Sequence, residues 1–283
     1  LAWADRPHTK PVFLWAHFID PHGPYTPPGF ESKNSPAARA LPVSKSNFDI
    51  DAIPAYQALP GRADPDEYVG RYNGEVDYTD AQVGRLLDGL RERGLTDGAY
   101  VLFSADHGES LGDHHRWFQH GSSLFEAQMH VPLMIRGPGI VPHEESVAIS
   151  SIDVVPTFLE LLSLPMSADL QGTSLRGLLA GGEGGAAAAA AIRQRLLFTE
   201  LWDKRAVISG NWKLIWKVGE SAAELYDVAK DPEELNDVAL FHADVVKPML
   251  AAISRFSREN TKDESPLDDE ETRKTLKALG YVN

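Results

Sequence analysis

Residues 104–121 read SADHGESLGDHHRWFQHG and combine four histidines with three carboxylates. Carboxylate oxygens and imidazole nitrogens bind divalent cations in proteins, and histidine also contacts anions and transfers protons. Within this run, Asp106 and His107 can supply an oxygen and a nitrogen to one cation, because Gly108 permits the sharp bend that this requires. Two ligands do not complete a catalytic metal site, so the remaining ligands must come from elsewhere.

A second histidine lies in the loop IDPHGPYTPP, which follows the apolar run VFLWAHF just as the DHG loop follows YVLFSA. Short apolar runs of this kind predict buried strands. Because ligands bind beyond the carboxyl ends of parallel strands, we expect both loops to lie at one edge of a sheet. The polar side chains there would be those of Asp20, His22, Asp106 and His107. At such an edge, His22 and His120 can donate hydrogen bonds to a transferring anion or protonate a leaving oxygen.

Plainer interpretations remain open for these residues. Asp and Gly are common turn formers, so the DHG sequence also fits an exposed turn, and His22 also fits a structural turn. His114 and His115 are adjacent and point apart, so at most one of them can face a site. Glu109 and Asp113 fit loop-supporting residues better than metal ligands.

The rest of the chain shows the patterns of helices, strands and loops. Apolar residues recur at helical spacing over Glu75–Gly94. Further predicted elements are a strand over Val131–Ile135, an Asp-capped helix in SSIDVVPTFLELLSLP with Pro156 in its first turn, short strands in LLFTEL, AVISG and WKLIWKV, a helix over Ala243–Asn260 and a small helix in TRKTLKALGYV. The segment Glu31–Pro65 predicts an excursion over the surface, and the Gly/Ala run 181–191 predicts a linker or irregular loop.

These elements predict the fold class. Strands that alternate with helices in the first two thirds indicate an α/β fold with a mostly parallel sheet flanked by helices. Short strands after residue 195 indicate a small antiparallel C-terminal subdomain. The expected domains are residues 1–180, the α/β part, and residues 195–283, the α+β subdomain.

Composition excludes several classes of function. The chain has 283 residues, no cysteine and a net charge of −14. The lack of cysteine excludes disulfides, thiolate metal ligands and a cysteine-derived nucleophile within this chain. The negative charge argues against nucleic acid as a partner, and no apolar run reaches the length of a membrane span. A small anionic substrate stays compatible if a metal or local cations offset the charge.

The chain resembles the sulfatases of the alkaline phosphatase superfamily along nearly its whole length. The matching segments follow one another in the family's order: FLWAHFIDPHGPYTPP, YNGEVDYTDAQVGRLLDGLRERGLTDGAYVLFSADHGESLGDH, HGSSLFEAQMHVPLMIRGPG, SSIDVVPTFLELLSLP, LQGTSLRGLL, WKLI, ELYDVAKDPEELNDVA and LKALGYV. The resemblance implies an alkaline-phosphatase-like fold and hydrolysis of a small or glycan-linked sulfate ester.

The resemblance also implies roles for single residues. Asp106 and His107 match the family's metal-ligand pair, and His22 matches the histidine that contacts the sulfate group. His120 falls near a lysine that, in many members, contacts the sulfate or the leaving oxygen. The implied cofactor is a divalent metal, with calcium favoured by the hard oxygen of Asp106 and manganese or zinc favoured by an imidazole ligand.

The chain departs from the family in two motifs. Members carry a Cys/Ser-x-Pro-x-Arg motif, whose Cys or Ser becomes the formylglycine nucleophile, and an N-terminal Asp-Asp pair that completes the metal site. Neither motif stands in its place here, and the one Asp-Asp pair is Asp268-Asp269. We therefore expect the N-terminally truncated, C-terminal portion of a sulfatase, inactive alone and with apolar surface exposed. A phosphodiester or phosphonate monoester hydrolase and a non-catalytic binding fragment or pseudoenzyme remain alternatives.

Overall fold

The computed structural model describes residues 2–31, 39–46 and 48–260. These residues form two compact units, the first from residues 2–101 and 105–122 and the second from residues 102–104 and 123–260. In chain order the elements are α1 (Pro65–Glu92), β1 (Val101–Ser104), β2 (Ser110–Leu111), β3 (Trp117–Gln119), α2 (Glu126–Met129), β4 (Leu133–Arg136), α3 (Val154–Leu161), α4 (Arg176–Leu179), α5 (Gly182–Arg193), β5 (Leu196–Leu201), β6 (Lys204–Ser209), β7 (Trp212–Lys217), β8 (Ala223–Asp227) and α6 (Ala243–Asn260).

The first unit is built around α1, which begins ten residues before the predicted start at Glu75. The carboxylate of Asp64 accepts a hydrogen bond from the backbone N–H of Asp66, 3.1 Å away, and Pro65 occupies the first helical position. Both features stabilise the start of a helix, because the N–H groups of the first turn have no partners within the helix. Asp64 accepts from one of them, and Pro65 has no N–H group that would need a partner. The added turns place Tyr68, which is fully buried, in the core of the unit.

The core of this unit corrects the prediction for Glu31–Pro65. Of the described part of that segment, Leu41 and Ile53 are buried against Tyr25, Tyr68 and Phe118. Val43 also forms a parallel bridge to Ile53. The segment is therefore part of the packing under the DHG loop. Its apolar residues are too widely spaced to show a helix or strand period.

The second unit contains the sheet partners β1 and β4, which lie where the runs YVLFSA and VPLMI predict strands. The helix predicted in SSIDVVPTFLELLSLP is α3, preceded by a 3₁₀ turn over Ser151–Asp153. Its start is a capping box between Ser150 and Asp153 rather than a single Asp cap. The Gly/Ala run, predicted as a linker, is the helix α5.

The predicted C-terminal antiparallel sheet is confirmed. Strands β5, β6, β7 and β8 form one antiparallel sheet in that order. Val207, Leu214 and Leu225 pack on Met249 and Ile253 of α6, whose bounds agree with the prediction. On the opposite face, the alternating neighbours Ala206, Ile215 and Tyr226 pack on Leu124. The sheet is thus buried on both faces, as its period of two allows.

The strand predicted over Val12–Phe18 is absent although these residues are described. The backbone of residues 11–19 carries no strand assignment, and the side chains of Phe13 and Trp15 are 83% and 77% exposed. A strand requires a neighbouring strand to receive its hydrogen bonds, and the described residues supply none here. Among the described residues, a mostly parallel central sheet is accordingly not confirmed, whereas the antiparallel sheet is.

Three further predictions concern the C-terminal residues, membrane spans and the domain boundaries. Asp268-Asp269 and the helix in TRKTLKALGYV lie outside the described residues. None of the described helices combines the length and the apolar character that a membrane span needs. The division into residues 1–180 and 195–283 stays a prediction.

Candidate active site

The DHG loop follows β1 directly and folds back on itself. The backbone N–H of His107 donates to Oδ1 of Asp106 across 3.0 Å. The same bend leaves Oδ2 of Asp106 3.7 Å from Nε2 of His107. Two donor atoms at this separation can touch one cation, because typical metal–ligand bonds of about 2.0–2.5 Å span such a gap at an open angle.

The ring of His107 is held in the form that binds a cation. Its Nδ1 lies 2.9 Å from the carbonyl oxygen of Gly108, which can only accept, so Nδ1 carries the hydrogen and Nε2 has the lone pair. Burial lowers the pKa of His107, and the nearby ring of His120 lowers it further. A neutral imidazole with a fixed tautomer is the ligand that metal sites use.

Asp106 and His107 therefore fit a cation, but they are only part of a site. Among the residues that the structure describes, no group of three or more His, Asp or Glu side chains could hold a metal ion. The Asp106 side chain is 71% exposed and that of His107 is 26% exposed, so further ligands can reach both from outside the first unit's core.

The second predicted loop carries His22 and is anchored from below. Nδ1 of His22 lies 2.8 Å from the carbonyl of Gly23, again an oxygen that can only accept. Gly23 packs so closely on the buried amide of Gln57 that a Cβ would lie 1.6 Å from Oε1 of Gln57. Thr26 donates its backbone N–H to Glu75 of α1. These contacts require glycine beside His22 and fix where its ring projects.

The two loops meet in one cluster of histidine rings, as the sequence predicts. The ring of His120 stacks on that of His107 with centroids 4.1 Å apart and planes 21° apart. The same ring lies 5.0 Å from the ring of His22, and Tyr56 lies 6.0 Å from His120. The side chain of His120 is only 1% exposed, so His107 and His22 cover it. The loops come together although Val12–Phe18 is not a strand.

Other polar residues of the two loops make hydrogen bonds or ion pairs outside the histidine cluster. The carbonyl of Asp20 accepts a hydrogen bond from Thr79 at 3.4 Å. Asp113 accepts from the backbone of Leu111 at 3.0 Å. His115 is exposed and pairs with Asp51 at 3.2 Å. These contacts agree with the loop roles predicted for Asp113 and His115.

Of the buried side chains behind the histidines, the sequence predicts Glu109 only as a loop-supporting residue and does not identify Tyr25 or Gln57. Both carboxylate oxygens of Glu109 lie 3.4 Å from Nδ1 of His120. The hydroxyl of Tyr25 accepts a hydrogen bond from Gln57 at 3.1 Å. Burial, followed by the charge of Glu109, raises the pKa of Tyr25 well above its usual value, so its hydroxyl stays protonated. The one sequence signal was the place of Glu109 two residues after His107.

Comparisons with known proteins agree on one family. The family model "Sulfatase" matches residues 1–164, and the model "N-sulphoglucosamine sulphohydrolase, C-terminal" matches residues 112–258. Arylsulfatase K of Xenopus laevis is 27% identical over 275 residues, which cover 84% of this chain and 50% of that protein. Choline-sulfatase of Rhizobium meliloti is 28% identical over 249 residues, which cover 83% of this chain and 48% of that protein. The chain spans about half the length of these curated relatives.

Solved structures share the fold at lower identity. A 2-O GAG sulfatase matches with a TM-score of 0.61 and 20% identity, over 83% of this chain and 56% of that chain. A phosphonate monoester hydrolase from Silicibacter pomeroyi matches with a TM-score of 0.56 and 24% identity, over 74% of this chain and 43% of that chain.

Proposed function

The chain belongs to the sulfatase family, and on this premise we propose that the complete protein hydrolyses sulfate esters. The reaction breaks the bond between sulfur and the ester oxygen, transfers the sulfuryl group ultimately to water, and releases an alcohol and sulfate. The observation that carries the proposal is the meeting of the Asp106-His107 pair with His22 and His120 in one cluster. The substrate is a small or glycan-linked sulfate ester.

Asp106 and His107 supply two of the metal ligands in this proposal. Sulfatases generally use a divalent metal, and when bound it neutralises the negative charge of the transferred group. The exposed carboxylate of Asp106 suits calcium, which we place first, whereas the fixed Nε2 of His107 also suits manganese or zinc. The chain's own contribution is to keep both donor atoms 3.7 Å apart and the imidazole neutral.

His22 and His120 are the proposed contacts to the transferred group. His22 projects from a loop that Gln57 and Glu75 hold in place, so its ring is positioned to contact a sulfate oxygen. His120 lies behind it and can assist the leaving oxygen. Because His120 is almost fully buried, a substrate must displace part of the cover that His22 and Tyr56 provide before it can touch this ring.

Residues 1–283 contain no cysteine and no Cys/Ser-x-Pro-x-Arg motif. The proposed nucleophile therefore belongs to the complete protein and not to these residues. We expect residues 1–283 alone to give no turnover of an aryl sulfate. Turnover by this chain alone would refute the assignment of the nucleophile to other sequence.

The deciding experiment uses the complete protein with 4-nitrophenyl sulfate and bis(4-nitrophenyl) phosphate. A higher kcat/KM on the sulfate supports the proposal, and a higher kcat/KM on the phosphodiester overturns it in favour of a diester hydrolase. Absence of turnover on both, with metal bound, would favour a non-catalytic protein.

The same assay tests the proposed ligands. Asp106→Asn and His107→Ala should each lower kcat/KM by at least ~100-fold and reduce the bound metal measured by elemental analysis, because each removes a metal donor. His115→Ala is the matched control, since that ring lies on the same loop, is exposed and pairs with Asp51. Full metal content and activity in both ligand variants would contradict the assignment.

A further inference from the structure

The three histidines of the cluster are anchored by different kinds of acceptor. His22 and His107 direct Nδ1 at the backbone carbonyls of Gly23 and Gly108. His120 directs Nδ1 at a side chain, with both carboxylate oxygens of Glu109 3.4 Å away. The position of a backbone carbonyl is set by the conformation of the loop. A side-chain carboxylate can rotate, so its contact with His120 depends on the residues that pack around Glu109.

Glu109 lies among buried polar side chains. Its side chain is 6% exposed and that of His120 is 1% exposed. Tyr25 is fully buried, and its hydroxyl accepts a hydrogen bond from the fully buried Gln57 at 3.1 Å. After burial, the charge of Glu109 is the next cause of the raised pKa of Tyr25, so the two side chains interact. Burying a carboxylate is costly unless hydrogen-bond donors compensate it, and here the imidazole of His120 lies within reach of both Glu109 oxygens.

The contact determines which nitrogen of His120 can act. Because both oxygens of the Glu109 side chain lie 3.4 Å from Nδ1 of His120, the contact favours the tautomer whose hydrogen on Nδ1 points at Glu109. The opposite nitrogen, Nε2, then faces away from Glu109. The stacking of the same ring on His107 fixes the plane in which Nε2 lies.

From this arrangement we propose that Glu109 is a positioning residue that fixes the tautomer and orientation of His120, with Tyr25 and Gln57 as its support. The role rests on the proposed function of His120 at the transferred group. Glu109 touches neither the substrate nor the reacting atoms. The same support reaches the other loop, because Gln57 also packs against Gly23 beside His22.

The first test reads the tautomer directly and needs no turnover. Long-range ¹H–¹⁵N spectra of the histidine-labelled chain at pH 8 distinguish Nδ1–H from Nε2–H rings, and loss of one signal set in His120→Gln assigns His120. We expect Nδ1–H for His120 in the parent and a mixture of tautomers in Glu109→Gln. Tyr25→Phe, which loses only a hydroxyl, should shift His120 in the same direction by less.

The controls keep this test decisive. Asp113→Asn changes a carboxylate of the same loop that accepts from Leu111, and it should leave the His120 signals unchanged. Should Glu109→Gln fail to fold, Tyr25→Phe carries the same prediction. An Nε2–H signal for His120 in the parent, or an unchanged Nδ1–H signal in both variants, would overturn the proposal.

The second test separates this inference from the proposed function. In the complete protein, Glu109→Gln should lower kcat on an aryl sulfate by about 10- to 100-fold, as loss of a ligand-orienting partner does, with KM changed less than kcat. In a His120→Ala background, Glu109→Gln should cause no further loss. An additive loss would show that Glu109 acts by another route. Lack of turnover in the parent would refute the function and leave the tautomer result standing.

Discussion

Glu75 is a residue whose environment strongly alters its acid–base behaviour. This glutamate of α1 is 3% exposed and accepts a hydrogen bond from Thr26 in the loop that carries His22. Burial raises its pKa from the usual 4.5 to about 7, with Asp20 adding to the increase and the Thr26 N–H opposing it. A carboxyl with a raised pKa makes the folded chain hold a proton that the unfolded chain has already released.

The consequence is a defined pH dependence of stability. The free energy of unfolding should fall as the pH rises from about 4.5 to about 7, because ionisation of Glu75 is easier in the unfolded chain. Glu75→Gln does not ionise, so it should remove about 1–3 kcal/mol of this fall between pH 5 and pH 8. Urea unfolding of residues 1–283 at both pH values measures the effect.

A control at the end of the same helix shows whether the effect belongs to Glu75. Glu92→Gln removes an exposed carboxylate from α1 and keeps Glu75, so the fall between pH 5 and pH 8 should persist. An equal fall in the parent and in Glu75→Gln would show that burial of Glu75 does not control this range.

The sequence predicts the site residues in the loops better than the buried residues that pack against these loops. His22, Asp106 and His107 are recognisable because each lies in a short motif after an apolar run. Tyr25 and Gln57 are not, since the contact between them joins positions 32 residues apart and depends on how the loops pack. Only the tertiary structure brings such positions together.

Among the elements, the spacing of apolar residues predicts helices correctly, whereas amino-acid composition alone does not. α6 was predicted with correct bounds, because its apolar residues recur at helical spacing and pack on the sheet. The Gly/Ala run looked like a linker, yet α5 buries Ala189 and Ile192 against Leu175 and Leu178. Alanine is the best helix former, so the run forms a helix once one face has a partner.

The antiparallel sheet contains a buried ion cluster that holds its packing together. Lys213 of β7 is fully buried, with Nζ 2.6 Å from Glu126 and 2.9 Å from the equally buried Glu234. The backbone N–H of Glu126 also donates to Glu234 at 2.6 Å. The cluster thus joins the sheet, α2 and the segment after β8 within the second unit.

Removal of the lysine should therefore destabilise the second unit. Lys213→Met leaves the buried carboxylate of Glu234 and the partly exposed one of Glu126 without their cation, which should cost about 3–5 kcal/mol in the free energy of unfolding. Lys217→Met is the matched control on the same strand, because Lys217 is half exposed and pairs at the surface with Glu220. Urea unfolding should show a large loss for the first variant and almost none for the second. Equal losses would contradict a special role for the buried cluster.

For the whole molecule, the exposed apolar run 12–19 is the feature with the clearest consequence. Phe13, Trp15 and Ile19 are 83%, 77% and 59% exposed, and they follow one another along one stretch of backbone. Soluble proteins seldom expose contiguous apolar surface unless another surface covers it. The chain spans about half the length of its curated relatives, so we expect the complete protein to contain the surface that covers this run.

Residues 1–283 alone should therefore bind an apolar dye and self-associate through this run. Phe13→Ser combined with Trp15→Ser should reduce both the fluorescence of bound ANS and the mass measured by light scattering, because it removes the largest exposed rings. Leu240→Ser with Phe241→Ser is the matched control, since these side chains are 92% and 81% exposed but stand outside the run. Equal reductions in both double variants would mean that exposure anywhere, and not this run, drives association. A complete protein that binds as much dye as residues 1–283 would show that the run stays uncovered.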